Sequence, residues 1–182
     1  MEVAVYAGVW ATIGSCFLVL LFVRAILHKW SGYAEFVGNV RDYRVLPEAA
    51  VPAAAAALLA AEVLAAAGLL LPPTRMWAAL LAAALLLMYA GAIALNLARG
   101  RNSIDCGCGG GGQGISSWHV LRNLVLVLFA VPVVAWQGRP LSGVGPFVVA
   151  LGCVAVLWLT FVVFDQLLGN RTHASTTTYS RL

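Results

Sequence analysis

Residues 49–71 read AAVPAAAAALLAAEVLAAAGLLL, and after Pro72-Pro73-Thr74-Arg75 residues 76–97 read MWAALLAAALLLMYAGAIALNL. Each run exceeds the ~20 residues that a helix, rising about 1.5 Å per residue, needs to cross ~30 Å of hydrocarbon. Backbone N–H and C=O groups find no water in lipid, so both runs read as helices joined by a tight turn. Their many alanines let helix backbones approach closely in a bundle.

Working outward, runs of similar length occupy residues 5–23, 118–136 and 146–168. The chain therefore reads as an all-α, polytopic transmembrane helical bundle of five spans over residues 1–168. A polar tail, 169–182, is expected to be disordered. Composition agrees: 62% of the residues are hydrophobic and 10% charged, against about 25% charged in a soluble domain. Mean hydropathy is +0.92, and the lipid bilayer must solvate most of this surface. No room remains for a soluble domain. The N-terminus lacks a basic n-region, and no small-residue cleavage site precedes Arg24, so the first run is expected to stay as a helix.

The net charge of +4 does not point to nucleic acid, because the basic residues are scattered between the spans. They read as topology signals. Arg24, Lys29, Arg41, Arg44, Arg99, Arg101, Arg122, Arg171 and Arg181 fall on one side, and only Arg75 and Arg139 on the other. The positive-inside rule then sets the N-terminus outside and the C-terminus inside. The first linker mixes Trp30, Tyr33, Phe36 and Tyr43 with its basic residues, which suits a partly helical segment at headgroup level.

The segment that carries chemistry is Asp105-Cys106-Gly107-Cys108, followed by the glycines 109–112, Gln113 and Gly114. Two thiols one residue apart close only a small, strained disulfide ring, and Gly107 gives the backbone the freedom it needs. Strained, exposed disulfides are the exchange-competent ones. Ser116 or Ser117 would cap the helix that follows, which brings His119 and Arg122 into its first turns. A positive helix start and Arg122 would favour a thiolate, His119 could shuttle a proton, and Asp105 could accept one from a resolving thiol. Two other readings stay open for the pair. Zinc would need His119 and Asp105 beside the sulfurs, an unusual ligand set for a structural site, and no metal is assigned; alternatively, both cysteines are idle.

Within the spans, Cys16 and Cys153 read as small hydrophobes. Glu62 does not, because an ionised carboxylate near the middle of a span costs ~2.5–3.5 kcal/mol or more. It should be protonated or face a polar interior. Helix counting sets Thr12, Cys16 and Cys153 at a depth similar to that of Glu62, where a small pocket could serve a proton or a quinone headgroup; a neutral Glu62 bonded to a neighbouring helix is the plainer alternative. Asn96, Asn123 and Tyr89 read as helix–helix hydrogen-bonding groups, and Asp165 lies near its span's end.

Several of these features together resemble the methylamine utilisation protein MauE family, within the wider DoxX-like membrane proteins. They are the linker from His28-Lys29-Trp30 through Phe36 to Tyr43-Arg44-Val45-Leu46-Pro47, then Glu62, then Asn96. Asp105-Cys106-Gly107-Cys108 and Trp118-His119-Val120-Leu121-Arg122-Asn123 complete the set. The resemblance covers residues 5–164. It departs after Cys108, where glycines 109–112 stand in place of an aromatic residue and a single glycine. It implies a multi-pass protein of the bacterial cell membrane working beside a thioredoxin-like partner. The role implied is forming or rearranging disulfides in a client enzyme, as in methylamine dehydrogenase maturation. In this reading Cys106 and Cys108 exchange electrons, His119, Arg122 and Asp105 adjust them, and Glu62 handles a proton. A non-catalytic membrane scaffold of the DoxX type is the alternative, and a transporter ranks third. The orientation has a consequence: it sets the cysteine loop on the cytoplasmic face, whereas an exported client needs oxidation on the other.

Overall fold

The computed structural model describes the backbone of residues 2–101, 114–136, 141 and 144–179, with side chains from Tyr6 to Leu167 within those ranges. Its helices are α1 (Glu2–Ser31), α2 (Tyr33–Asp42), α3 (Val51–Leu70), α4 (Arg75–Ala98), α5 (Ser117–Val127), α6 (Ala130–Ala135) and α7 (Val144–Tyr179), with a 3-10 turn at Glu48–Ala50 before α3. Five stretches are long and apolar enough to cross a membrane: Tyr6–Ser31, Glu48–Leu70, Arg75–Ala98, Ser117–Ala135 and Val144–Leu167. The fold is all-α, and the chain is a multi-pass membrane protein.

Helix α1 continues past Val23 through Arg24 and Lys29 to Ser31. Between Gly14 and Gly32 the sequence contains no glycine or proline, so the hydrogen-bonded ladder has no reason to stop at the first charge. Helix α2 then packs against α3 with Phe36 buried. In the fourth span, Pro132 has no N–H for the Leu128 carbonyl and its ring crowds that turn. The chain responds by tightening to three-residue spacing, Leu128 N–H donating to Val125 O (3.1 Å) and Phe129 N–H to Leu126 O (3.1 Å), which separates α5 from α6. Helix α7 runs on to Tyr179. Extending an existing helix adds one bond per residue and escapes the nucleation cost.

The core lies where α1, α3, α4 and α6 meet. Phe17, Leu18 and Phe22 of α1 pack with Ala65, Ala66 and Leu69 of α3, with alanines and leucines of α4, and with Ala130 and Val133 of α6. Phe17 stacks on Phe129 at 4.3 Å between centroids and meets Phe161 of α7 edge-on. Small residues set the spacing. A Cβ at Gly14 would collide with the carbonyl oxygen of Phe129 and lie 3.0 Å from Val133 Cγ2. A Cβ at Gly68 would lie 2.8 Å from the Cβ of Ala78. Beyond the Pro-Pro turn, Thr74 Oγ1 and Arg75 Nε donate to Gly68 O (2.9 Å) and Leu69 O (3.2 Å), satisfying carbonyls at the end of α3. The outer faces carry exposed Leu64, Trp77, Leu87, Val148, Val156 and Leu159, as lipid contact requires.

Gly14→Ala should lower the thermal unfolding midpoint in detergent, with a loss of about 1–3 kcal/mol for overpacking. Gly91→Ala, with open space around the new methyl, should leave it unchanged or raise it. Equal effects at the two positions would show that α1 does not approach the α5–α6 turn this closely.

Candidate functional site

Counting about 1.5 Å per residue, Glu62 lies roughly 16 Å from the start of α3, and Tyr89 roughly 14 Å from the end of α4. Lys29 stands only two residues from the end of α1, yet it meets both. Helix α1 therefore ends well inside the bundle, and α2 covers that end. Lys29 is 3% exposed and Glu62 1%. The Lys29 ammonium donates to Glu62 Oε1 and, at 3.2 Å, to the Tyr89 hydroxyl, which itself donates to Glu62 Oε1 at 2.7 Å. Lys29 Nζ also lies 4.9 Å from the ring centroids of Phe36 and Tyr89, positions that favour a cation. The second carboxylate oxygen of Glu62 is buried with no partner among the described residues.

A second ionic group lies toward the same end of the bundle. Asp165 of α7 accepts from Arg24 of α1 at 2.8 Å and from Arg122 of α5 at 2.5 Å, tying three helices together. Arg24 also lies over the Phe161 ring at 5.8 Å. Both groups line one narrow cavity, shared by Lys29, Glu62, Tyr89, Arg24, Arg122 and Asp165. The space open to water there is about 50 Å³, enough for a molecule or two among polar partners.

A third set holds the two ends of the cysteine loop. Helix α4 closes in a Schellman turn: Gly100 has φ +72°, its N–H donates to Leu97 O (3.0 Å), and Arg101 N–H donates to Asn96 O (3.0 Å). Helix α5 opens in a capping box, where the Ser116 N–H donates to His119 Nδ1 at 3.2 Å and the Ser116 hydroxyl lies 2.9 Å from the same nitrogen. A neutral imidazole that accepts at Nδ1 carries its proton on Nε2. Asn96 and Asn123 turn their amides onto their own helices, donating to Ala92 O and His119 O. Both are buried.

The positions expected from sequence are thus only partly brought together. Glu62 faces Lys29 and Tyr89, not Thr12, Cys16 and Cys153. Thr12 donates to Gly8 O of its own helix, and Cys16 packs beside Ile13, Ala150 and Val154. Arg122 is engaged by Asp165, and His119 by the capping box. Asp105, Cys106 and Cys108 lie outside the described residues. Sequence reading missed Lys29 and Asp165 as members of intramembrane pairs. The available signal was the unbroken helical run to Gly32, which carries Arg24 and Lys29 inward.

Removing one partner of a buried ion pair strands the other charge, at about 3–5 kcal/mol. Lys29→Met should therefore lower stability in detergent by that order. Lys29→Met with Glu62→Met should recover most of the loss, read from thermal unfolding of the single and double variants. A double variant no better than the single would show that the two groups do not pair.

The family described as methylamine utilisation protein MauE matches residues 7–137. The methylamine utilization protein MauE of Paracoccus denitrificans is 48% identical over 119 residues, 64% of this chain and 64% of that one. Its counterpart in Methylorubrum extorquens is 40% identical over 141 residues, 76% of this chain and 75% of that one. The Methylophilus methylotrophus protein is 34% identical over 164 residues, 87% of this chain and 86% of that one. No solved structure matches.

Proposed function

The chain belongs to the methylamine utilisation protein MauE family, and from that premise we propose that it serves methylamine utilisation by thiol–disulfide exchange at the bacterial cell membrane. Cys106 and Cys108 exchange electrons with a thioredoxin-like partner, which in turn introduces disulfides into a client enzyme. The observation that carries the reading is the family match itself, which takes in the Asp105-Cys106-Gly107-Cys108 segment.

The described frame supports it. A Schellman turn at the end of α4 and a capping box at the start of α5 fix the two points between which the cysteine segment runs, both at one end of the bundle. In the exchange, a partner thiolate attacks one sulfur of the Cys106–Cys108 disulfide, breaking that bond and forming a mixed disulfide. The partner's second thiolate then breaks the mixed disulfide. The partner leaves oxidised, and two electrons remain on Cys106 and Cys108 as thiols. His119 is poised beside the loop's return to move a proton.

Orientation belongs to the same proposal. Arg24, Lys29 and Arg122 are engaged in ion pairs with Asp165 and Glu62 inside the bundle, so they are poor topology signals. Arg41, Arg44, Arg99, Arg101, Arg171 and Arg181 still outnumber Arg75 and Arg139 on the opposite side. The bias toward a cytoplasmic loop survives.

Replacing both Cys106 and Cys108 with Ser should abolish growth on methylamine and disulfide formation in the client. Replacing one should trap a mixed disulfide with a thioredoxin-like protein. Normal client maturation in the double variant would sink the thiol-exchange reading and leave a membrane scaffold. Thiol labelling of intact cells with a membrane-impermeant reagent should leave the pair unmodified until the membrane is opened; labelling from outside would reverse the orientation.

A further inference from the structure

Lys29 and Tyr89 line a second cavity besides the narrow polar one. It lies under α2, between that helix and the inner halves of α3 and α4, and its volume is about 150 Å³. Its walls are Phe36, Val40, Leu58, Met88, Ala92 and Ile93. Val45 and Leu46, both exposed, also line it and mark a mouth toward the outside of the bundle. An apolar cavity of this size takes a single six-membered ring. One with an ammonium and a phenol at its polar end suits a ring that bears hydrogen-bond-accepting oxygen. In a chain immersed in lipid, the ligand must also be soluble in the bilayer.

The geometry points to a lipid-soluble quinone: its head ring occupies the cavity under α2, with one carbonyl toward Lys29 and Tyr89. This rests on the thiol-exchange reading, which leaves two electrons on the cysteine pair with no acceptor. The quinone accepts them. Two thiols lose two electrons and two protons and form the Cys106–Cys108 bond, while the quinone gains two electrons and two protons and becomes the quinol. Negative charge developing on the ring oxygen is met by the Lys29 ammonium. Glu62 Oε1 accepts from Lys29 Nζ and so holds that group at the polar end of the cavity. The water-sized space between Glu62 and Asp165 provides a way for protons to reach the pair. The mouth is also close to where the cysteine loop departs: Arg99, at the end of α4, donates to the carbonyl of Arg44 at 3.5 Å, next to Val45.

The test is equilibrium binding of decyl-ubiquinone to the delipidated full-length protein in detergent. Saturable binding is expected for the wild type and equally for the Cys106→Ser/Cys108→Ser variant. Ala92→Phe, which fills the cavity, should weaken it at least ten-fold. Lys29→Met/Glu62→Met, which removes the charges as a pair, should weaken it comparably, and both variants are compared at matched thermal unfolding. Tyr89→Phe keeps the ring and loses only the hydroxyl that accepts from Lys29 and donates to Glu62, so a several-fold loss there at unchanged thermal unfolding separates polar recognition by this cluster from misfolding. Absence of saturable binding to the wild type overturns the proposal. So does undiminished binding to Ala92→Phe, or displacement by a phospholipid as effective as by unlabelled quinone, which would make the cavity an acyl-chain site. Binding that persists while the cysteine pair proves inert overturns the thiol-exchange reading and spares the quinone site; an active pair without binding does the reverse.

Discussion

A lysine and a glutamate facing one another roughly halfway down a hydrophobic bundle constrain everything around them. Neither charge can be left alone there: stripping an ion of water costs several kcal/mol even after the surroundings relax. Pairing therefore dictates backbone positions. Helix α1 must end within the bundle for Lys29 to reach Glu62, and α4 must turn so that the Tyr89 hydroxyl donates to the same carboxylate oxygen. The end of α1 must then be covered, which is the place of α2 and its buried Phe36. Three membrane helices and one linker helix are set in rotation and depth by a single polar contact.

The bundle divides by the kind of force that holds it. Toward the Pro72-Pro73 end, contact is made by removing side chain: Gly14 lies against the Phe129 carbonyl, and Gly68 against Ala78. Dispersion between close backbones is the available attraction where lipid tails are as apolar as leucine. Toward the opposite end, contact is made by adding charge, with Lys29–Glu62 and the Arg24–Asp165–Arg122 triad. The cysteine loop springs from the charged end, so the polar interior and the proposed redox loop share one half of the molecule. Asp165 between two guanidiniums leaves that cluster with one uncompensated positive charge.

The five-span fold was legible because length and apolarity suffice to define a membrane helix. Glu62 was legible as an outlier for the same reason: one carboxylate in a run of alanine and leucine must have a purpose. Its partner was not, because hydropathy ends a helix at the first charge, Arg24, whereas the backbone leaves helical geometry only at Gly32, where φ is −124° and ψ 46°. Once the helix is allowed to run on, Lys29 is an intramembrane residue and no longer a topology signal. Pro132 carried a readable warning of the break between α5 and α6 that apolarity masked. The capping role of Ser116 was local and was legible; the joining of Arg24, Arg122 and Asp165 from three separate spans was not, since no local pattern encodes which helix faces rotate together.

A site that moves electrons between thiols and a membrane-soluble carrier must pass protons through the same low-dielectric space, and isolated charges cannot serve. Paired ones can. Lys29, Glu62 and Tyr89 meet in one hydrogen-bonded cluster, so a proton passed along it, as the proposed exchange requires, would not cross hydrocarbon as a bare ion. The cost of each intermediate state is then set by short rearrangements and not by moving a bare ion into hydrocarbon. The second oxygen of Glu62, with no partner among the described residues, leaves that cluster one acceptor position open toward the narrow cavity that Glu62 lines.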